Sequence, residues 1–186
     1  GIFTLKPISK NGLPEKMVKR VKSEVIKYAN DKFVVLLGGE HSVSIGSIQA
    51  QALIHENLSV LQLDAHSDLR DEYYGSKYNH ACVMARVKEI CPIVQVGIRS
   101  MDISEKNSFD KSRMFFAEKI KGSKSWQNEA IAKLSDKVYL TIDLDCFDPA
   151  ILPSTGTPEP GGLGWYEVLD FLKKVNRNKN IVGFDV

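Results

Sequence analysis

Residues 59–68 read SVLQLDAHSD, and the change of character inside this stretch decides the fold. Its first half is apolar on nearly both sides of an extended chain, the pattern of a parallel strand covered by helices on each face. Its second half abruptly supplies Asp64, His66 and Asp68. The same change recurs twice. FVVLL at Phe33–Leu37 runs into Gly38-Gly39-Glu40-His41-Ser42, and VYLTIDLD at Val138–Asp145 carries Asp143 and Asp145 and continues into Cys146-Phe147-Asp148-Pro149.

Working outward, further β-branched runs lie at Ser59–Ala65, Ile93–Arg99, Arg113–Ala117 and Asn180–Val186. Helical patterns fall between the runs, at about Glu15–Ala29, Ser44–His55, His80–Glu89, Lys124–Leu134 and Tyr166–Val175. In the first helix Met17, Val18, Val21, Val25, Ile26 and Ala29 recur at helical spacing, and Pro14 suits its first turn. Strand–helix–strand alternation predicts a three-layer α/β/α domain with an open parallel sheet and right-handed crossovers, one domain over residues 1–186. The irregular stretches Ser67–Asn79 and Phe147–Gly164 are long enough to be functional loops. Ligands of such sheets gather beyond the carboxyl ends of the strands. Three of the six strand ends carry metal-type ligands.

Composition narrows the partners. With 43% hydrophobic residues the chain has material for a core, and 25 basic against 23 acidic residues leave a net charge of +2. That balance excludes the electrostatic footprint of a nucleic-acid or anionic-membrane binder. No apolar run approaches the roughly 18 residues of a membrane span. Three cysteines without a CxxC pair fit packing roles in a reducing, cytoplasmic compartment.

Residues two apart on a strand project to one side, so Asp64, His66 and Asp68 converge if the extended geometry persists past Ala65, and so do Asp143 and Asp145. Taken singly, His41 reads equally well as a helix cap, and Asp143 and Asp148 as turn caps. Together, four carboxylates at neighbouring strand ends repel one another unless cations lie between them. Carboxylate plus imidazole without thiolate favours a hard or borderline divalent ion, manganese above zinc. Two such ions with a bridging hydroxide leave the cluster net negative, which suits a cationic substrate and not a phosphate.

GGEHS, DAHSD, TIDLDCFDP and STGTPEPGGL together resemble the signature segments of the ureohydrolase family of arginases and agmatinases, over nearly the whole chain. The resemblance implies a two-manganese (Mn²⁺) centre that hydrolyses guanidino compounds to urea and an amine. It implies one metal on His41, Asp64, Asp68 and Asp143, and a second on Asp64, His66, Asp143 and Asp145. Asp68 resembles the family's proton carrier to the leaving amine, and His80, within YNHACVMAR, its proton shuttle to bulk water. The segment from Asp68 to Glu89 resembles agmatinases more than arginases, which makes agmatine the expected substrate and putrescine the product. Guanidinobutyrate and formiminoglutamate are the alternatives, as is a metal-binding fragment without turnover. Asp71 and Glu72 are candidates for a distal ammonium, and Tyr73, Tyr74 and Tyr78 for the wall along the alkyl chain. The resemblance also implies a homo-oligomer in the full-length form. Both ends read as cut: the family continues the strand matching Ile181–Val186 into a glutamate that pairs with the guanidinium. Asp185, the only acid of that strand, is not an obvious replacement.

Overall fold

The computed structural model describes residues 1–9 and 11–186. Among the described residues six strands form one sheet: β1 (Val34–Leu36), β2 (Leu58–Leu63), β3 (Ile93–Ile98), β4 (Met114–Phe116), β5 (Lys137–Ile142) and β6 (Asn180–Asp185). All pairings are parallel, in the order β1-β6-β5-β2-β3-β4. The helices are α1 (Pro14–Ala29), α2 (Val43–Ile54), α3 (Val83–Val87), α4 (Ala117–Ile120), α5 (Ser125–Lys133) and α6 (Trp165–Asn178).

The expected layers are present, and each follows from its side chains. Val18, Val21, Val25 and Ala29 form the buried stripe of α1, and Val168, Phe171 and Val175 that of α6. One face of the sheet packs Leu61, Leu63, Val138 and Leu140 against Trp126 of α5 and Phe171 of α6. The other packs Val60, Tyr139 and Val182 against Ile45 and Ile48 of α2 and Val83 and Met84 next to them. Helix α1 lies over α2, and their backbones approach so closely at Gly46 that a Cβ there would sit 2.4 Å from the Val18 carbonyl oxygen. Only glycine allows that crossing.

Strand order positions the site. From β2 the chain moves outward to β3 and β4; from β5 it moves the opposite way to β6. The crevice between the carboxyl ends of β2 and β5 is therefore the topological switch point where open α/β sheets bind ligands. DAHSD and DLDCFD both open into it.

Two expected elements are shorter than their sequence patterns. The run His80–Glu89 is not one helix: a 3₁₀ turn, His80–Cys82, precedes a five-residue α3. In a continuous helix the Met84 and Ala85 amides would bond back to His80 and Ala81. Here both donate to the Asp68 carbonyl, at 2.9 and 3.1 Å, while the Ala81 carbonyl accepts from the Arg70 amide. The strand predicted through Asp145 ends at Ile142, because Asp143 caps a 3₁₀ turn at Leu144–Cys146 and its side chain accepts from the Asp145 amide.

Candidate metal centre

Asp64 and Asp143 are the first residues beyond β2 and β5, and the sheet hydrogen bonding carries on to them: the Asp143 amide donates to the Leu63 carbonyl at 2.9 Å. Asp64 is wholly buried. Its two oxygens accept from Gln62 Nε2 (2.7 Å) and from the His66 amide (2.6 Å).

Convergence of the acids does not come from a persisting strand. Strand β2 stops at Leu63, and Asp68 turns inward through a left-handed backbone, φ 53°. A non-glycine residue in that region is strained, and the surrounding structure must hold it there. Here the amides at the start of α3 grip its carbonyl, and the buried Glu105 grips its neighbours. Glu105 Oε1 accepts from Ser67 Oγ and from the Leu69 amide, both at 2.7 Å. Asp143 and Asp145 are likewise brought together by the 3₁₀ turn and not by strand alternation.

The result is two groups of ligand atoms that share Asp64: His41 with Asp64 and Asp68, and Asp64 with His66 and Asp145. His41 Nδ1 lies 2.8 Å from Asp68 Oδ2, 3.1 Å from Asp64 Oδ2 and 3.7 Å from Asp143 Oδ2. His66 Nδ1 lies 3.0 Å from Asp145 Oδ2 and 3.6 Å from Asp64 Oδ1. Asp143 stands slightly apart from both groups, half-exposed, with one oxygen used for its cap.

The electrostatics are those of a crowded anionic pocket. Burial opposes the charge on Asp68, and the Asp64 carboxylate adds to it, pushing its pKa up to about 7. The same two causes raise Asp143 to about 6. Asp64 is instead held well below the carboxylate range, because His41 and His66 outweigh its burial. Burial alone would lower His66; Asp145 and Asp64 reverse that and lift it to about 10. His41 is raised for the same reason by Asp64 and Asp68.

These residues fit a divalent cation. His41 Nδ1 is buried and makes no well-directed hydrogen bond, although three carboxylate oxygens surround it. An orphaned imidazole nitrogen among carboxylates, with a second such nitrogen beside a shared aspartate, is a donor set of the kind that hard and borderline divalent ions take.

Other expected residues fall outside these groups. His80 is exposed at the head of its 3₁₀ turn, edge-on to the Tyr73 ring at 5.8 Å. Asp71 is engaged by Arg86 (2.5 Å) and Lys77 (3.1 Å), and Glu72 is exposed. Tyr74 packs against Tyr73 with the rings tilted at 47°, whereas Tyr78 packs against the core. Asp148 pins its loop, accepting from the Ala150, Gly161 and Gly162 amides. All three cysteines are buried and free. Asp185 is buried and hydrogen-bonded to Tyr139 and Thr141.

Sequence reading missed the residues that hold the ligands in place. Arg99 sends Nη2 to the carbonyls of Asp145 (2.7 Å) and Glu159 (2.7 Å), tying the 3₁₀ turn to the 156–163 loop. Gln95 donates to Gln62 and to the Ser67 carbonyl. The available signal was Gln62 and Gln95 in otherwise apolar strands, where they face each other in register. Arg99 and Glu105 had no local signal.

Comparison with known proteins agrees with the geometry. The profile of the Arginase family matches residues 2–186. The chain is 41% identical to an N(1)-aminopropylagmatine ureohydrolase of Synechocystis sp., covering all of this chain and 64% of the relative. It therefore spans just under two thirds of that protein's length. Among solved structures, the agmatine ureohydrolase of Thermoplasma volcanium superposes with a TM-score of 0.83 at 33% identity, covering 96% of this chain and 61% of that one. The arginase from Bacillus cereus superposes with a TM-score of 0.79 at 26% identity, covering 92% and 70%.

Proposed function

The chain belongs to the arginase family, and from that premise we propose that it hydrolyses a guanidino compound at a two-manganese centre, cleaving agmatine to putrescine and urea. The observation that carries this reading is His41 Nδ1, buried, without a well-directed hydrogen bond and ringed by carboxylates. His41, Asp64, Asp68 and Asp143 would hold one ion; Asp64, His66, Asp143 and Asp145 would hold the other. When bound, the pair supplies Lewis acidity and a strong nucleophile at neutral pH.

The remaining work falls to side chains. The excess of carboxylate makes the crevice attractive to a planar cation and unattractive to anions. Asp68 takes the proton released on attack and passes it to the departing amine. His80, exposed beside Tyr73, exchanges protons with bulk water, a task suited to imidazole. The enzyme works in a reducing cytoplasm, which three free buried cysteines support, and assembles as a homo-oligomer.

The Synechocystis relative is named for a longer cation, which favours a second reading in the same chemistry: agmatine carrying an aminopropyl extension. The test is a substrate panel with the manganese-loaded protein in its natural reading frame, scoring urea and amine. Urea from agmatine supports the first reading, and urea from the extended amine alone selects the second. Formamide from formiminoglutamate would move the activity to the formimidoyl branch. Absence of product from every guanidino compound overturns the proposal.

A further inference from the structure

The second nitrogen of His41 leads away from the metal ligands into a buried polar chain. Nε2 lies 2.9 Å from Thr141 Oγ1, and Thr141 Oγ1 lies 2.6 Å from Asp185 Oδ1. Asp185 Oδ2 accepts from Tyr139 Oη at 2.8 Å, and Tyr139 Oη also meets Ser47 Oγ at 2.8 Å. Thr141, Tyr139 and Asp185 are almost wholly enclosed. Among the described residues no lysine or arginine pairs with Asp185. A buried carboxylate without a cationic partner is costly to keep.

The sheet itself sets this arrangement. Thr141 on β5 and Asp185 on β6 are register partners on adjacent parallel strands, so hydroxyl and carboxylate are juxtaposed by the ladder. Helix α2 contributes Ser44, Ser47 and Gln51, a buried polar stripe at helical spacing on a helix whose other buried positions are Ile45, Gly46, Ile48 and Ala50.

We infer that Asp185 is a positioning residue for the metal centre, acting through the Thr141 hydroxyl to keep the His41 proton on Nε2 and its Nδ1 lone pair free for an ion. The argument is a count of hydrogens. A threonine hydroxyl has one proton and two lone pairs. Set at 2.6 Å from a carboxylate oxygen, it spends its one proton on Asp185, so toward His41 it has only lone pairs to offer, and one of them accepts from Nε2–H. The neutral imidazole then presents a lone pair at Nδ1, the atom that the carboxylates surround and that has no well-directed hydrogen bond. A metal-bound histidine whose other nitrogen donates to a carboxylate is a common support; here a hydroxyl from β5 is interposed between His41, which follows β1, and the acid on β6, the strand between them.

This inference rests on the metal-binding reading of the site, and its test separates the two. Manganese is titrated calorimetrically into metal-free whole protein and into folded Thr141→Val, Thr141→Ser and Asp185→Asn variants, with melting curves as the folding control. Wild type must bind two ions; failure there overturns the metal reading itself. Thr141→Val is expected to weaken one ion by about 10–100-fold and to change the other by less than about threefold. Thr141→Ser is expected to restore most of the loss, since it returns the hydroxyl. Asp185→Asn, which keeps an acceptor and loses the charge, should lie between. Nitrogen-15 spectra of His41, with a diamagnetic divalent ion bound, should show the proton on Nε2. Unchanged affinity in Thr141→Val, equal loss of both ions, or a proton on Nδ1 would each overturn the inference.

Discussion

His41 and His66 offer the same imidazole to the same shared aspartate, yet they are held in different ways. His41 has a side chain only 5% exposed, and its far nitrogen is locked to Thr141 and through it to Asp185. His66 is 25% exposed, and its far nitrogen lies 3.8 Å from Glu159, a half-exposed acid on the 156–163 loop. One support is built from adjacent strands in register; the other depends on a loop that Arg99 ties down. A charge-assisted contact across solvent is screened and weak, whereas one inside the sheet is neither. The His41 half should therefore be the preorganised one, and the His66 half the one that its loop controls.

The largest change to this picture should come from the residue common to both halves. Asp64→Ala is expected to weaken both ions by at least about 100-fold, because it removes a ligand from each group; elemental analysis of the folded variant should find neither at stoichiometric occupancy. Two ions retained would break the idea that the halves share a ligand. Asp143→Ala asks the same question of the acid that stands apart, and retention of both ions there would show that it bridges nothing.

Next in size is Arg99→Ala. Losing hydrogen bonds to the Asp145 and Glu159 carbonyls frees the turn and the loop together. A stability loss of about 2–4 kcal/mol is expected in urea denaturation, along with preferential loss of the His66-side ion. If the His41-side ion is lost first, the assignment of loop control is backwards.

Glu159→Gln should have a smaller effect, a loss of about threefold or less on the His66 side. Raising the ionic strength should shrink it further, as expected for a contact open to water. A loss as large as that in Thr141→Val would mean that the two supports are equivalent after all.

The smallest effect on metal belongs to His80→Asn. Both ions should stay, since His80 lies outside both ligand groups, while turnover falls and added imidazole restores part of it. Steady-state rates with and without imidazole decide the point, and loss of an ion would remove His80 from the shuttle role.

The same contrast explains what was legible. The candidate ligands stood out because they cluster within a few residues of the ends of apolar strands, and strand ends are where open sheets bind. The supports did not stand out, because Glu105 reads as an ordinary polar residue in a short 3₁₀ turn and Arg99 as the end of a strand. Their meaning lies in partners 36–60 positions away along the chain. Asp185 was visible only as an acid without an obvious use, since its use depends on the β5–β6 register.

Sequence alone determined the parallel α/β sheet, the chain positions of its strands, and the identity of the acids and histidines at three of their ends. Those are consequences of periodicity and residue type, which act over a few residues. Only the tertiary structure decided how the acids meet. Asp68 comes inward because α3 captures its carbonyl and forces a left-handed turn, Asp145 because a 3₁₀ turn replaces the last part of the expected strand. Strand alternation would have aimed these carboxylates by local geometry. Bringing like charges into one pocket takes contacts from distant segments, whose binding energy offsets the strain and repulsion that no local pattern can absorb.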